Sequence, residues 1–275
     1  MSKIKLEGSN AVSETLLIPL YARAIEQRQS EPLVRDPLAA ALMERIDYDW
    51  GRIKLSGHDL VASVVRLREF DRFAREFLDK NATATVVHIG CGLDARFQRV
   101  DNGKVRWFDL DLPDVIALRK QLLAESERNR FVACSAFEPA WMDLVDAPGA
   151  GPFLFVAEAV LVYFDEALVK DLFVSIQRRF PGAELVTDGA TPLTVRLDNL
   201  HLIFAGSAAR IRWGLKDPRD VERWSPGIRL LESFYYFDRL EPRMGFPTWF
   251  RHIPGMSKGA GIYRYRLGEA QDPAI

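Results

Sequence analysis

Thr85-Val86-Val87-His88-Ile89-Gly90-Cys91-Gly92-Leu93-Asp94 is the stretch whose reading decides the fold. A β-branched run ending at Gly-x-Gly reads as a buried strand that turns sharply into a helix. About twenty residues on, Val105-Arg106-Trp107-Phe108-Asp109-Leu110-Asp111 reads as a second strand ending in an acid. A carboxylate at that point can accept both hydroxyls of a ribose. Together the two stretches are the skeleton of an adenosine-binding α/β sheet.

The residues around the glycines bear on which adenosine cofactor is held. Gly90-x-Gly92-x-x-Ala95 meets the dinucleotide fingerprint, and Asp111 lies near the expected distance. A pyrophosphate, however, needs unopposed backbone N–H groups at a helix N-terminus. Asp94 sits inside the loop, and a carboxylate there repels phosphate. The helix is also cramped, because it must finish before Asn102-Gly103 returns the chain to the next strand. S-adenosylmethionine carries no phosphate and a positive sulfonium, so an acid-decorated loop favours it. A nicotinamide (NAD)-dependent oxidoreductase is the alternative, and a third reading is a methyltransferase-fold protein that binds cofactor without turnover.

At 275 residues the chain is long enough for one large domain with an elaborated cap. Lys+Arg 37 against Asp+Glu 38 leaves a net charge of −1, which provides no general attraction to nucleic acid or to an anionic membrane. No apolar run approaches the ~18 residues of a membrane span, and the first residues lack the apolar core of a signal peptide. The expectation is a cytoplasmic protein with no membrane or nucleic-acid partner and an open oligomeric state. Cys91 and Cys134 make neither a disulfide framework nor a metal-ligand spacing. His58, His88, His201 and His252 are scattered, so no metal is expected.

The pattern along the chain predicts a single domain over 1–275, in four parts. Residues 1–82 form a helical N-terminal part. Asp36-Pro37 reads as an N-cap with proline at the first helical position, and Leu38, Leu42 and Ile46 follow at helical spacing. An amphipathic helix is expected over 60–78, with Leu60, Val64, Leu67, Phe70 and Phe77 on one face and Arg66, Arg68, Arg72 and Arg75 opposite. Residues 83–189 form the cofactor-binding core, with strands near 85–90, 105–110, 131–135, 152–157 and 184–188. Helices are expected at 113–125 and 165–180, the latter on Leu168, Leu172, Ile176 and Phe180 and stopped by Pro181-Gly182. Alternation of strand and helix argues for a parallel sheet. Residues 190–226 break the rhythm and read as a helical cap insertion over the carboxyl edge of the sheet. Residues 227–275 add strands near 228–237 and 261–267, one of them antiparallel.

Several blocks, in order, carry a family resemblance. They are Thr15-Leu16-Leu17-Ile18-Pro19-Leu20-Tyr21-Ala22-Arg23, Arg35-Asp36-Pro37, Arg66-x-Arg68-x-Phe70-Asp71, the glycine block from His88 to Arg96, Trp107 to Pro113, and Ala157-Glu158-Ala159-Val160-Leu161-Val162-Tyr163. On these the chain resembles the leucine carboxyl methyltransferase superfamily, and within it the bacterial, tetracenomycin-like O-methyltransferases of polyketide type. The resemblance implies a class I (Rossmann-like) methyltransferase sheet and S-adenosylmethionine as cofactor. It implies that Gly90 and Gly92 admit the cofactor to the backbone, that Asp111 with Leu112 takes the ribose, and that Ser135-Ala136 lies by the adenine. Arg66 would pair with the methionine carboxylate, a contact suited to a guanidinium fork, with Arg23 as a second cation. Glu158 would face the methionine amino group or sulfonium. The chain departs from the family pattern at Ser135, where an acid is usual, and at His88 and Ala95, where Asn and Thr are.

The reaction implied is an O-methylation, most readily a methyl ester on the carboxylate of a small or polyketide-like metabolite; a phenol is the other acceptor. A carboxylate is already ionised near pH 7, whereas a phenol needs a base. Tyr163 as a hydrogen-bonding group and His201 as a base are the catalytic candidates. The chain has no Asn-Pro-Pro-Tyr or Asp-Pro-Pro-Tyr after the fourth core strand, which argues against methylation of an exocyclic amine on nucleic acid.

Overall fold

The computed structural model describes residues 3–5, 14–204, 209–239, 241–245 and 257–268; the side chains of 14–15 and 201–204 lie outside the described set. Its centre is a seven-stranded sheet built of β3 (Thr85–Ile89), β4 (Arg106–Asp111), β5 (Asn129–Ala133), β6 (Phe153–Ala157), β7 (Ala183–Ala190), β8 (Ile228–Tyr235) and β9 (Ala260–Leu267). The spatial order is β5-β4-β3-β6-β7-β9-β8. The first five in that order are parallel, and β9 runs antiparallel to both β7 and β8. The third core strand begins and ends two residues earlier than the sequence pattern predicts.

Residues alternate between two cores, one on each face. Val87, Ile89, Leu110, Phe155, Ala157 and Leu185 pack under α6 (Ala140–Val145) and α7 (Glu166–Arg179). Val86, Trp107, Leu154, Val156 and Val186 pack under α3 (Gly57–Lys80) and α4 (Arg96–Val100). Both faces are covered, which is why the parallel strands read as continuous apolar runs. Trp107 is wholly buried and donates its indole N–H to Asp109 at 2.9 Å, so it is a core residue. On α7 the buried face is Val169, Leu172, Phe173 and Ile176, whereas Leu168 points outward. The four-residue spacing therefore found the helix but set its buried face one position out at its start.

The helix after the glycines is as short as the spacing requires. Asn102 Oδ1 accepts the N–H groups of Lys104 and Val105 at 3.0 and 2.8 Å, and Gly103 has φ +80°. This Asx turn ends α4 and starts β4 within a few residues.

The N-terminal part contains α1 (Glu14–Glu26), α2 (Pro37–Arg45) and α3, joined by a small parallel ladder, β1 (Ile4–Lys5) against β2 (Ile46–Asp47), that periodicity did not reveal. Asp36 caps α2 as its spacing predicts, accepting from Ala39 N at 3.0 Å. Ser56 and Asp59 form a capping box that starts α3 three residues before the expected boundary. After β7 the chain forms α8 (Pro192–Phe204) and a 3-10 turn over Pro218–Arg223. The N–H groups of Arg212 and Trp213 bond Val162 O at 2.8 and 3.1 Å, which brings this segment to the carboxyl side of β6. Trp213 and Val221 are buried beside Trp224.

Candidate active site

The chain winds outward from the centre of the sheet in both directions, to β4 and β5 on one side of β3 and to β6 and β7 on the other. Ligands of such sheets bind at this switch point, outside the carboxyl ends of the strands. Two loops flank it here: Gly90–Asp94 after β3 and Glu158–Tyr163 after β6.

Gly90 and Gly92 have φ +64° and +50°, which L side chains adopt only at a cost. A Cβ on Gly90 would lie 2.2 Å from Val160 Cγ2, and one on Gly92 would lie 2.8 Å from Leu16 Cδ1. The loop's carbonyl groups are bound by arginines. Arg119 of α5 (Pro113–Leu122) donates to Gly92 O and Asp94 O at 2.9 and 2.7 Å, and Arg23 donates to Leu93 O at 2.9 Å. Arg119 is itself fixed by Asp109 at 2.6 Å.

Asp111 closes β4 beside this loop. Its Oδ2 accepts Gly92 N–H at 2.7 Å and its Oδ1 accepts Leu112 N–H at 2.8 Å. A carboxylate has lone pairs beyond these two bonds, so a ribose diol can still be received. Burial raises its carboxyl above the ordinary range, while the two backbone donors oppose the rise. Leu112 beside it is exposed. Cys134 N–H bonds Asp111 O at 3.0 Å, so Ser135 and Ala136 follow directly at the neighbouring strand end. The Ser135 hydroxyl accepts Phe137 N–H at 3.3 Å.

Asp94 departs from the role its position predicts. Burial would raise its carboxyl, but Arg99 at 2.7 Å, Arg96 at 3.1 Å and Arg23 at 3.9 Å hold it well below the ordinary range. Its charge is thus neutralised inside the protein, so Asp94 does not by itself oppose a phosphate at the loop. Arg23 also departs. Its remaining guanidinium nitrogen, Nε, lies 3.1 Å from Asp36, so the whole group serves the glycine loop and α2. The Arg23 bond to Leu93 O was not visible in the sequence, because a 70-residue separation has no local signature.

On the other side, Glu158 leaves β6 between two guanidiniums. It accepts from Arg66 Nε at 2.9 Å and from Arg96 Nη2, which also pairs through Nε with Asp71 at 2.9 Å. Burial raises the Glu158 carboxyl, and Arg96 and Arg66 together more than reverse this. Arg66 therefore turns inward from α3, whereas Arg75 is exposed on the same helix. Arg72, on the polar side of the same helix, bridges Glu69, Glu76 and Glu232 at 2.8, 2.8 and 2.9 Å.

Two further groups lie near Arg66: Tyr236, which from the sequence could line a pocket but is core by default, and Asp188, which the sequence did not single out. Tyr236 follows β8 within electrostatic reach of Arg66; burial raises its phenol pKa, and the Arg66 charge opposes the rise. Asp188, in β7, is buried, and burial also raises its carboxyl, opposed by Arg66. Asp188 had a legible signal, since it is an acid following the β-branched run Val186-Thr187, although it lies within β7 whereas Glu158 follows the last residue of β6. Tyr163, on the 3-10 turn Leu161–Tyr163, joins the group; burial raises its pKa and Arg66 opposes the rise. The His201 side chain lies outside the described residues.

The site so assembled fits S-adenosylmethionine: a left-handed glycine turn at the switch point, a diol-accepting carboxylate at the next strand end, and a guanidinium for the methionine carboxylate. The leucine carboxyl methyltransferase family pattern matches residues 17–177. The tetracenomycin polyketide synthesis O-methyltransferase of Streptomyces glaucescens is 36% identical over 236 residues, 86% of each chain. An S-adenosyl-L-methionine-dependent methyltransferase of Gibberella zeae is 30% identical over 259 residues, 85% of this chain and 84% of that one. In fold, the chain resembles the magnesium protoporphyrin IX methyltransferase of Synechocystis, solved with bound SAH, at 12% identity and TM-score 0.51 over 84% of this chain and 95% of that one. A Streptomyces avermitilis protein of the DUF574 family is similar at TM-score 0.56 and 13% identity, covering 90% of this chain and 96% of that one.

The sheet and site define a class I methyltransferase. The chain belongs to the leucine carboxyl methyltransferase family and is an S-adenosylmethionine-dependent methyltransferase of that type. The oxidoreductase alternative falls with this assignment. No helix among the described residues is long and apolar enough to cross a membrane.

Proposed function

We propose that the enzyme forms a methyl ester on the carboxylate of a small or polyketide-like metabolite. One observation carries this reading: the Tyr163 and Tyr236 phenols, protonated near pH 7 as tyrosines ordinarily are, lie within reach of the Arg66 charge. Phenolic O–H donors next to a cation suit an oxygen acceptor that is already anionic. A carboxylate arrives in that form near pH 7, so no proton has to be removed.

S-adenosylmethionine supplies, when bound, a methyl group on a positively charged sulfur. The residues of the chain contribute alignment. Asp111 takes the ribose and Arg66 the methionine carboxylate, with Glu158 keeping the guanidinium oriented. Tyr163 and Tyr236 hold the acceptor carboxylate through their hydroxyls. Holding reacting atoms in near-attack geometry and excluding water lowers much of the barrier of such a displacement. In this reading the N-terminal helices and the segment of Arg212 and Trp213, which bonds Val162 O beyond the end of β6, roof the site and provide the exclusion. The S. glaucescens relative, a polyketide-synthesis O-methyltransferase, supports the choice of acceptor class.

The test is incubation of the enzyme and methyl-labelled S-adenosylmethionine with panels of aromatic carboxylic acids and phenols. Esters release labelled methanol in alkali, and aryl ethers do not. Alkali-labile label on a small molecule is expected. Alkali-stable label would point to a phenol, with His201 the first residue to examine as its base. Label confined to a protein C-terminus would overturn the metabolite reading.

A further inference from the structure

Ala159 is the one non-glycine residue with positive φ among the described residues, at +54°. Left-handed backbone is costly for an L side chain and persists only where neighbouring structure enforces it. Ala159 lies between two residues that shape the site. Glu158 before it binds Arg66 and Arg96, and Val160 after it closes on Gly90 so tightly that no Cβ would fit there. Both placements depend on the same reversal of the backbone.

One side chain holds that reversal. The Ala159 N–H donates to Asp188 Oδ1 at 2.9 Å. Asp188 is a rigid anchor, in a strand paired on both sides: β7 is bonded to β6 through Ala157↔Thr187 and to β9 through Asp188↔Ile262. It is 9% exposed, so water does not compete effectively for the bond.

We propose that Asp188 is a positioning residue for cofactor binding, a latch that holds Ala159 left-handed and thereby sets Glu158 and Val160 against the cofactor cradle. The proposal rests on the reading of the Gly90 and Glu158 loops as the cofactor site. The latch acts through a hydrogen-bond acceptor and not through charge, and it need not touch cofactor or acceptor.

This separates it from a role as base or as ligand for a cation. Asp188→Asn keeps an oxygen that can accept from Ala159 N–H, whereas Asp188→Ala does not. Ala159→Gly removes the left-handed penalty, so it lessens the need for the latch. The measurement is calorimetric affinity for S-adenosylhomocysteine, alongside circular dichroism and melting temperature. The expected result is a loss of tenfold or more for Asp188→Ala, a change within threefold for Asp188→Asn, and at least partial recovery in Ala159→Gly/Asp188→Ala. Wild-type affinity in Asp188→Ala, or an equal loss in Asp188→Asn, would overturn the latch. If Asp188→Ala does not fold, the Asp188→Asn affinity decides, and a tenfold loss there rejects the proposal. Absence of S-adenosylhomocysteine binding by the wild-type chain would instead overturn the reading of the site itself.

Discussion

At the scale of single residues, the two loop glycines are not equivalent. At Gly90 a methyl group would strike Val160, a β-branched side chain stiff about χ1, at 2.2 Å. At Gly92 the obstacle, at 2.8 Å, is the terminal methyl of Leu16, which can rotate away. Overpacking and a left-handed side chain together cost on the order of 3 kcal/mol where nothing can yield. Denaturant titration is expected to find Gly90→Ala clearly less stable than Gly92→Ala; equal stabilities would mean that the Val160 loop gives way. Asp111→Ala removes both the ribose acceptor and the partner of Gly92 N–H. Cofactor affinity is expected to fall by about 1.5–3 kcal/mol, the value of hydrogen bonds to a charged group. An unchanged dissociation constant in a folded variant would leave Asp111 with a purely local role.

At the scale of elements, α3 presents arginines of different kinds from one helix. Arg66 faces the sheet edge and pairs with Glu158, whereas Arg75 is exposed and reaches Arg99 O at 3.0 Å. Arg66→Ala is expected to lower S-adenosylhomocysteine affinity tenfold or more, and Arg75→Ala less than twofold, since exposed ion pairs contribute little. Similar small losses from both would return Arg66 to the surface charges. The joint between β4 and α5 sets an acid limit on stability. Burial alone would raise the Asp109 carboxyl, but Arg119, His88 and Asn129 lower it to about 2. A depressed folded pKa contributes stability that is present above the ordinary value of 3.8 and is lost as pH falls toward about 2. The group is expected to account for about 2 kcal/mol of lost unfolding free energy across that interval. Chemical denaturation at stepped pH checks this, and Asp109→Asn should weaken the dependence. Identical pH profiles for the two proteins would count against the assignment.

At the scale of the whole molecule, the proposed cofactor site is where segments distant in the chain meet. Leu16 and Arg23 reach the glycine loop from the N-terminal helices, Arg66 comes from α3, and Tyr236 follows the antiparallel end of the sheet. A ligand there ties these parts together and stabilises the folded chain by mass action. At one hundred times its dissociation constant the gain is about 2.7 kcal/mol, or roughly 5–11 °C in melting temperature for a chain of this size. S-adenosylhomocysteine is expected to produce that rise, and hydrogen exchange should slow in α1 and α3 as well as in the glycine loop. NAD at the same concentration should produce none. A rise with NAD and not with S-adenosylhomocysteine would contradict the cofactor assignment.

The sequence by itself determined the sheet, its strand-by-strand alternation with helices, and the positions of Gly90, Gly92, Asp111 and Glu158 at strand ends. These are local facts: β-branched runs, turn residues and caps act within a few positions of themselves. The short α4 was legible for the same reason, because an Asx turn at Asn102 announces itself. Only the tertiary structure decided which charges are spent inside the protein. Asp94 reads as an exposed acid facing a ligand, yet Arg23, Arg96 and Arg99 converge on it from two elements. Arg119 and Asp188 act on loops 25 and 29 residues away in sequence. Periodicity registers whether a residue is apolar and how often such residues recur. It does not register which buried cation meets which anion, because that depends on the packing of elements distant in the chain.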